Sequence, residues 1–339
     1  MEKHPDSEIL FVGAEGKMEM QKVPEAGYPI QGLPVAGLQR KLTLANLSFP
    51  IKLWRSLRMA ARIVSEFQPQ AVVGVGGYAS GPVLYAAQSK GIPTLLQEQN
   101  SYAGLTNKIL AKKAARICVA YPEMERFFPK EKIKLTGNPV RKDLLDLAGK
   151  RELGQQKFGL DTNRKTILVL GGSLGARTLN LAMLKHMVEL EKEGYQVLWQ
   201  SGKFYFKEME AALSTAGLAH IHLHEFIREM DLAYATADVI VSRAGALSVS
   251  ELCLVGKPVI FIPSPNVAED HQTKNANACV NQGAAVLLPD ALAVEQFKNH
   301  IDELLQQEGK AQALATAIKK MAMPDAANAL VTELELLLK

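Results

Sequence analysis

Short apolar, β-branched runs alternate with helix-length amphipathic stretches along almost the whole chain, and this alternation restricts the fold more than any other feature. The runs cover 8–13, 71–75, 92–96, 117–121 and 133–135, then 166–170, 196–199, 239–241 and 259–262. A strand, a helix and a further strand make a βαβ unit whose crossover forces the strands parallel, so the pattern predicts an α/β fold with doubly wound parallel sheets. The 339 residues exceed the roughly 250–300 at which one hydrophobic core stops growing, which predicts two such domains. Between Asn138-Pro139 and Lys165 the chain is polar and charged, after which a strand and a glycine turn restart the pattern. The expected organisation is a first domain over 1–140, a linker over 141–164, a second domain over 165–323 and a terminal helix over 324–339 that returns to the first domain.

A doubly wound domain normally opens with an inner strand and a glycine-rich turn. This chain opens on what reads as the end of a helix running into 8–13. A first strand, its turn and most of a helix are therefore expected to be lacking, and the native gene is expected to extend upstream.

An apolar fraction of 47% with 22% charged residues is globular, and nothing approaches the ~20 apolar residues of a spanning helix. The short, charged N-terminal stretch is no signal peptide. Cys118, Cys253 and Cys279 form no even set and no C-x-x-C pair, so they read as reduced core thiols of a cytosolic protein. A net charge of +4 does not argue for nucleic acid, but the positive charge clusters between Arg40 and Arg62. On a helical wheel Lys52, Arg55, Arg58 and Arg62 oppose Leu53, Leu57, Val64 and Phe67, with Trp54 and Phe49 at the seam. Such a helix either docks on its own sheet with a solvated basic face or contacts anionic lipid, at ~1 kcal/mol per basic residue.

Three segments carry phosphate and sugar chemistry. The strand 166–170 runs into Gly171-Gly172-Ser173-Leu174-Gly175-Ala176-Arg177 and then a helix, a turn whose backbone can approach a phosphate at a helix N-terminus, with Ser173 adding a hydroxyl. One βαβ unit later, Arg243-Ala244-Gly245 and the helix start Ala246-Leu247-Ser248-Val249-Ser250-Glu251 repeat the arrangement. Arg243 is placed to neutralise a diphosphate and Glu251 to accept hydrogen bonds from a ribose diol. Glu251 read blandly is an acid near a helix N-terminus. The polar run from Glu269 to Asn275 opens a further helix with amides and carboxylates suited to sugar hydroxyls.

In the first half, Gly76-Gly77-Tyr78 follows one strand and Gln97-Glu98-Gln99-Asn100 ends the next, both at the C-terminal edge of a parallel sheet where ligands bind. Glu98 is the one plausible general base on that edge, and a loop-capping carboxylate is the equal alternative. His220, His222 and His224 alternate on one face of a short strand, but no acid or cysteine completes a ligand set, so no metal is expected.

Taken in order, Gly76-Gly77-Tyr78, Glu98-Gln99-Asn100 with Gly104-Leu105-Thr106-Asn107, Gly137-Asn138-Pro139-Val140-Arg141, Gly171 to Arg177, Arg243 to Glu251 and Asp270-His271-Gln272 resemble the MurG family of bacterial N-acetylglucosaminyltransferases. The resemblance implies a GT-B architecture, two Rossmann-like domains facing a cleft. It implies inverting transfer of N-acetylglucosamine from UDP-N-acetylglucosamine to undecaprenyl-diphosphate-N-acetylmuramoyl-pentapeptide (lipid I), giving lipid II for the cell wall. No cofactor and no metal are implied. Asn100, Arg141, Ser173, Ile227, Arg243, Ala246 to Glu251 and Gln272 would line the donor site, with Glu251 on the ribose, Gln272 on sugar hydroxyls and Ile227 at the uracil edge. Gly76, Gly77 and Tyr78 would face the acceptor. The implied location is peripheral, on the cytoplasmic face of the plasma membrane with its anionic lipid, among other cell-wall synthesis proteins.

The family's glycine loop with its histidine has no counterpart in this sequence, and Gln97 stands where a histidine often precedes Glu-Gln-Asn, so little or no transfer is expected of the chain. A different GT-B enzyme on a UDP-sugar, or a non-catalytic nucleotide-sugar binding subunit, shares the donor motifs. A dinucleotide oxidoreductase lacks support, because no G-x-G-x-x-G with a downstream acid is present.

Overall fold

The computed structural model describes residues 3–35 and 49–339, with the Phe49 side chain excluded; Arg40, at the start of the basic cluster, lies outside the described residues, as does the Phe49 ring. The chain divides into two compact units, the first formed by Met1–Gln99, Ala103–Thr136 and Asn328–Lys339, the second by Asn100–Tyr102 and Gly137–Ala327.

The first unit holds two parallel sheets. One pairs β1 (Phe11–Ala14) with β2 (Ile30–Leu33), and the other runs in the order β3 (Val72–Gly74), β4 (Thr94–Glu98), β5 (Arg116–Val119), β6 (Ile133–Leu135). The connections are helical: α1 (Glu19–Glu25), α2 (Phe49–Phe67), α3 (Ser80–Ser89) and α4 (Leu105–Leu110). Helix α3 packs on both β1 and β3. Two small cores result, Leu33 with Ala60, Ile63 and Val64 beneath α2, and Leu84, Leu96, Ile117, Val119 and Phe128 around β4 and β5. The C-terminal segment is tied in by an ion pair from Arg116 Nε to Glu333 at 3.1 Å and by His4 Nε2 with Glu335 at 2.7 Å. The strand expected over 8–13 is displaced toward the C-terminus, and β2 has no counterpart among the expected strands. Ile30–Leu33 contains Gln31 and Gly32 in a four-residue run, too short and too polar for an apolar period to show.

The second unit carries one six-stranded parallel sheet in the order β12 (Val286–Leu287), β11 (Val259–Phe261), β10 (Val239–Ser242), β7 (Thr166–Leu170), β8 (Gln196–Gln200), β9 (Ile221–His224). Its helices are α5 (Lys150–Phe158), α6 (Arg177–Lys192), α7 (Phe206–Ala216), α8 (Met230–Thr236), α9 (Ala246–Val255), α10 (His271–Val280), α11 (Asp290–Gln306), α12 (Glu308–Lys320) and the start of α13 (Ala326–Glu335). All five residues of β7 and all five of β8 are buried, as a parallel strand covered on both faces requires. Ile167, Val169, Val197, Trp199, Val239 and Val241 are each 0% exposed. At roughly 1.5–3 kcal/mol per fully buried aliphatic side chain, these inner strands hold the frame on which the loops above them are mounted.

Candidate functional site

The second sheet grows outward from β7 through β8 to β9, and the chain then returns to the other side of β7 to lay down β10, β11 and β12. At such a switch point the connections leaving the two inner strands part, and a crevice opens beyond their C-terminal ends. The two glycine turns singled out in the sequence occupy those two ends.

The first turn, Gly171 to Ala176, leaves β7. Gly171 N donates to Gln200 O at 3.1 Å, Gly175 N donates to Gly172 O at 3.2 Å, and Lys203 N donates to Ser173 O at 3.1 Å. Gly175 has φ +96°, and a Cβ there would stand 2.5 Å from Ser201 O, while one on Gly202 would stand 2.1 Å from Gly175 N. The loops ending β7 and β8 thus touch main chain to main chain, which only glycine permits. Ser173 is exposed at the tip of the turn, ahead of the first-turn N–H groups of the 16-residue helix α6.

The second turn, Arg243 to Gly245, leaves β10 and enters α9 with Gly245 extended. The first-turn N–H groups of Ala246, Leu247 and Ser248 have no intrahelical acceptor. Leu247 is exposed, Ala246, Ser248 and Ser250 are half-buried, and Val249 is core at 1% exposed. Ser250 Oγ accepts from Asn138 Nδ2 at 3.0 Å. Arg243 does not project as a lone cation: its Nη1 donates to Ile262 O at 2.8 Å and to Asp290 Oδ1 at 2.5 Å.

Glu251 sits one and a half turns into α9. Its Oε2 accepts from Tyr234 Oη at 3.1 Å, and its Oε1 lies 3.7 Å from Arg141 Nε. Arg141 also donates from Nη1 to Arg228 O at 3.2 Å. Burial raises the Glu251 carboxyl above the ordinary carboxylate range, opposed by the Tyr234 hydrogen bond and the Arg141 charge. Burial likewise pushes the Tyr234 phenol up, with the Glu251 charge adding to it. Glu251 is thus a half-buried carboxyl with one hydrogen-bond donor, Tyr234, and one nearby cation, Arg141, which oppose the effect of its burial.

Ile227 is 2% exposed and its N–H donates to Gln200 Oε1 at 2.9 Å, so its side chain belongs to the core. Two left-handed residues, Glu269 at φ 51° and Asp270 at φ 53°, turn the chain sharply into α10. Gln272 Oε1 accepts from Ser264 N at 2.8 Å, and its amide N–H groups have no partner among the described residues. Asn275 is 0% exposed and works as a clasp: its Oδ1 accepts from Ser101 N at 2.9 Å, and its Nδ2 reaches Asn100 Oδ1 at 3.1 Å and Ala244 O at 3.3 Å. Lys274 Nζ lies 3.3 Å from the centroid of the Tyr102 ring. The segment Asn100–Tyr102 therefore belongs to the second unit although it follows β4 of the first.

Asn100, Arg141, Ser173, Arg243, Ala246 to Glu251 and Gln272 all lie in the second unit, where an ion pair links Arg141 to Glu251 and Asn275 links Asn100 to Ala244. Sequence reasoning misses Tyr234, Gln200 and Asp290. Each is an isolated polar residue within an apolar or helical pattern, and its role exists only through a partner distant in sequence. Asn275 ends the polar run that the sequence marks for sugar hydroxyls, and its side chain is engaged with Ser101, Asn100 and Ala244.

In the first unit, Gly76 (φ +90°) and Gly77 (φ +79°) form the turn after β3, and Tyr78 is 53% exposed. Glu98 is 3% exposed, and its Oε2 accepts from Gly104 N at 3.0 Å and from Asn107 Nδ2 at 2.8 Å. It therefore caps the start of α4, the loop-end role that its place in the sequence also allows. His222, on β9 of the second unit, buries its Nε2 without a hydrogen-bond partner among the described residues, and burial lowers the pKa of His222 and of His224.

Residues 2–119 match the N-terminal domain and residues 166–330 the C-terminal domain of glycosyltransferase family 28. The UDP-N-acetylglucosamine–N-acetylmuramyl-(pentapeptide) pyrophosphoryl-undecaprenol N-acetylglucosamine transferase of Phocaeicola vulgatus is 56% identical over 98% of this chain and 89% of its own length. The same-named protein of Flavobacterium psychrophilum is 53% identical over 98% and 90%. The crystal structure of Acinetobacter baumannii MurG superposes with a TM-score of 0.77 at 28% identity, covering 97% of this chain and 91% of that one. A UDP-GlcNAc 2-epimerase from Neisseria meningitidis, at 15% identity and a TM-score of 0.64, shares the fold alone. With its two units of parallel α/β structure of the GT-B class, this chain belongs to glycosyltransferase family 28 and is a member of its N-acetylglucosaminyltransferase branch.

Proposed function

We propose that the chain transfers N-acetylglucosamine from UDP-N-acetylglucosamine to undecaprenyl-diphosphate-N-acetylmuramoyl-pentapeptide, the step that turns lipid I into lipid II. The observation that supports this reading is the switch point of the second unit, where two glycine turns leave the inner strands β7 and β10 and Glu251, on the helix after the second turn, accepts from Tyr234 beside Arg141. The substrate names come from relatives more than half identical in sequence.

In this reading the first-turn N–H groups of α6 and α9 take the diphosphate and stabilise the charge that develops as UDP leaves. Glu251 takes the ribose diol, Gln272 and Asn100 the sugar hydroxyls, and the main chain at Ile227 the uracil. The acceptor hydroxyl attacks the anomeric carbon from the face opposite UDP: the new C–O bond forms as the bond to UDP breaks, and the hydroxyl proton passes to a base or to solvent. Glu98 is the carboxylate assigned to that proton, with Gly76, Gly77 and Tyr78 on the acceptor side. Helix α2 is assigned to the anionic membrane surface. Lys52, Arg55, Arg58 and Arg62 are all solvent-accessible along it, Ile51 and Trp54 stand beside them at 64% and 56%, and the Arg58 guanidinium lies 4.7 Å from the Trp54 ring centroid. None of the helices among the described residues is long and apolar enough to cross a membrane.

The test is formation of lipid II and UDP by the purified chain from lipid I and UDP-N-acetylglucosamine, with EDTA leaving the rate unchanged. Binding of UDP without product on any acceptor would support a nucleotide-sugar binding subunit instead. Glu98→Gln keeps the cap on α4 and removes the base, so a rate unchanged from the parent chain would take Glu98 out of the proton transfer.

A further inference from the structure

The two turns at the switch point are joined by a residue that neither turn contains. Asp290 opens α11, the helix that packs along α6. Its Oδ2 accepts from Thr178 Oγ1 at 2.9 Å, and its Oδ1 accepts from Arg243 Nη1 at 2.5 Å. Thr178 is the second residue of α6, immediately behind the first turn, and Arg243 is the first residue of the second turn. One planar carboxylate with two oxygens therefore spans both. The second turn is fixed further by Arg243 to Ile262 O and by Asn275 to Ala244 O, while the first has the Gly175–Gly202 contact. The Arg243 and Asp290 side chains are 16% and 21% exposed, so the pair is held out of bulk water where geometry persists.

We propose that Asp290 is a positioning residue for the diphosphate, setting the distance between the two turns and holding Arg243 along the sheet edge as a brace. This rests on the reading that the two turns take the diphosphate of UDP. Two phosphates joined by one bridging oxygen have a fixed separation, so donors on two separate loops serve both only if the loops keep theirs. It also reassigns the charge of Arg243. With Asp290 as its counter-ion, the pair contributes little net positive potential, and stabilisation of the diphosphate falls to the main-chain N–H groups and helix dipoles.

The consequence is a selectivity that general damage to the fold does not produce. In Asp290→Ala, affinity for UDP falls at least tenfold, whereas affinity for uridine, held by Glu251 and the Ile227 main chain, stays within about twofold. Asp290→Asn keeps an acceptor for Arg243 and a partner for Thr178, so UDP affinity stays within about threefold. The uncompensated Arg243 then makes that affinity more salt-dependent than in the parent chain. Thr178→Val reproduces part of the loss in the parent background and adds nothing in Asp290→Ala.

Titration calorimetry of the full chain with UDP and with uridine reads these effects. Hydrogen exchange of the ligand-free chain reads the brace without any ligand: Asp290→Ala should accelerate exchange in 171–178 and 243–247 together. Equal loss of uridine and UDP, full UDP affinity in Asp290→Ala, or a Thr178→Val effect that simply adds to it would each overturn the assignment. A parent chain that binds no UDP would defeat the functional reading. The bridge would still stand or fall on whether the two turns loosen together.

Discussion

Replacing Tyr234 by Phe removes one oxygen and tests whether Glu251 is held ionised for its role. Tyr234 is 1% exposed, and its hydroxyl donates to Glu251 Oε2 at 3.1 Å. A hydrogen bond to a charged acceptor contributes about 1.5–3 kcal/mol, and the length of this one places it at the lower end, about 1.5 kcal/mol. Arg141 cannot make up the difference, since its side chain is 44% exposed and lies 3.7 Å away, a geometry typically worth under about 1 kcal/mol. The loss falls on the ionised form alone, so Glu251 in Tyr234→Phe should bind its proton about tenfold more tightly.

Burial already raises the Glu251 carboxyl in the parent chain, so affinity for UDP should fall as the pH is lowered through the acidic range. In Tyr234→Phe the same fall should begin about one pH unit higher. The sign for stability is the reverse. A carboxyl raised in the fold binds more protons folded than unfolded, so its contribution is full at low pH and is lost as pH rises through the folded value. Glu251→Gln should therefore raise the unfolding midpoint of the ligand-free chain near neutral pH while weakening UDP at least tenfold. Calorimetry with UDP across pH 5–8, run on both proteins, decides the matter. Superimposable pH profiles would mean that Tyr234 does not support the charge of Glu251.

Asn275→Ala leaves Ser101 N and Ala244 O buried without their partner, and urea unfolding should show a loss of about 2–5 kcal/mol together with weaker UDP binding. His222 and His224, whose pKa values burial lowers, resist protonation when folded, so stability is full above pH 6.5 and declines below it; the double change to Gln should flatten the thermal midpoint between pH 7.5 and 5.5. On helix α2, Arg55→Glu with Arg58→Glu should reduce sedimentation with anionic vesicles, and 0.5 M salt should do the same to the parent chain; equal binding to neutral vesicles would return the helix to a solvated surface.

The inner strands are legible in the sequence because a parallel strand covered on both faces reads as a continuous apolar run. Thr166–Leu170 and Ile133–Leu135 coincide with their expected bounds, and most other expected strands differ by one or two residues at one or both ends. The two-residue β12 and the polar β2 have no such signal, and their pairing is imposed by the neighbouring strand. The turns at Gly171 and Arg243 are legible as well, since a glycine directly after an apolar run marks a place where the backbone must turn sharply or come close to another group. The charge partnerships are not. Nothing local in Arg243 distinguishes a cation facing a ligand from one bound to Asp290, 47 residues on. The sequence leaves Glu98 open between a base and a loop-end cap, and only the contacts with Gly104 and Asn107 show the cap.

The contact between Gly175 and Gly202 limits how this protein can diverge. A carbon added at Gly202 meets the nitrogen of Gly175, and one added at Gly175 meets the carbonyl oxygen of Ser201. Each position has a main-chain obstacle, and at Gly175 the Tyr205 ring is a second one, so no second-site change of side chain alone can make room for either, and the two positions cannot exchange burdens as a large and a small core residue can. Every neutral path through sequence space that keeps this turn must keep both glycines, while Leu174 and Phe204 beside them, 60% and 72% exposed, are free to change. In remote descendants of this fold the two glycines should outlast almost everything around them.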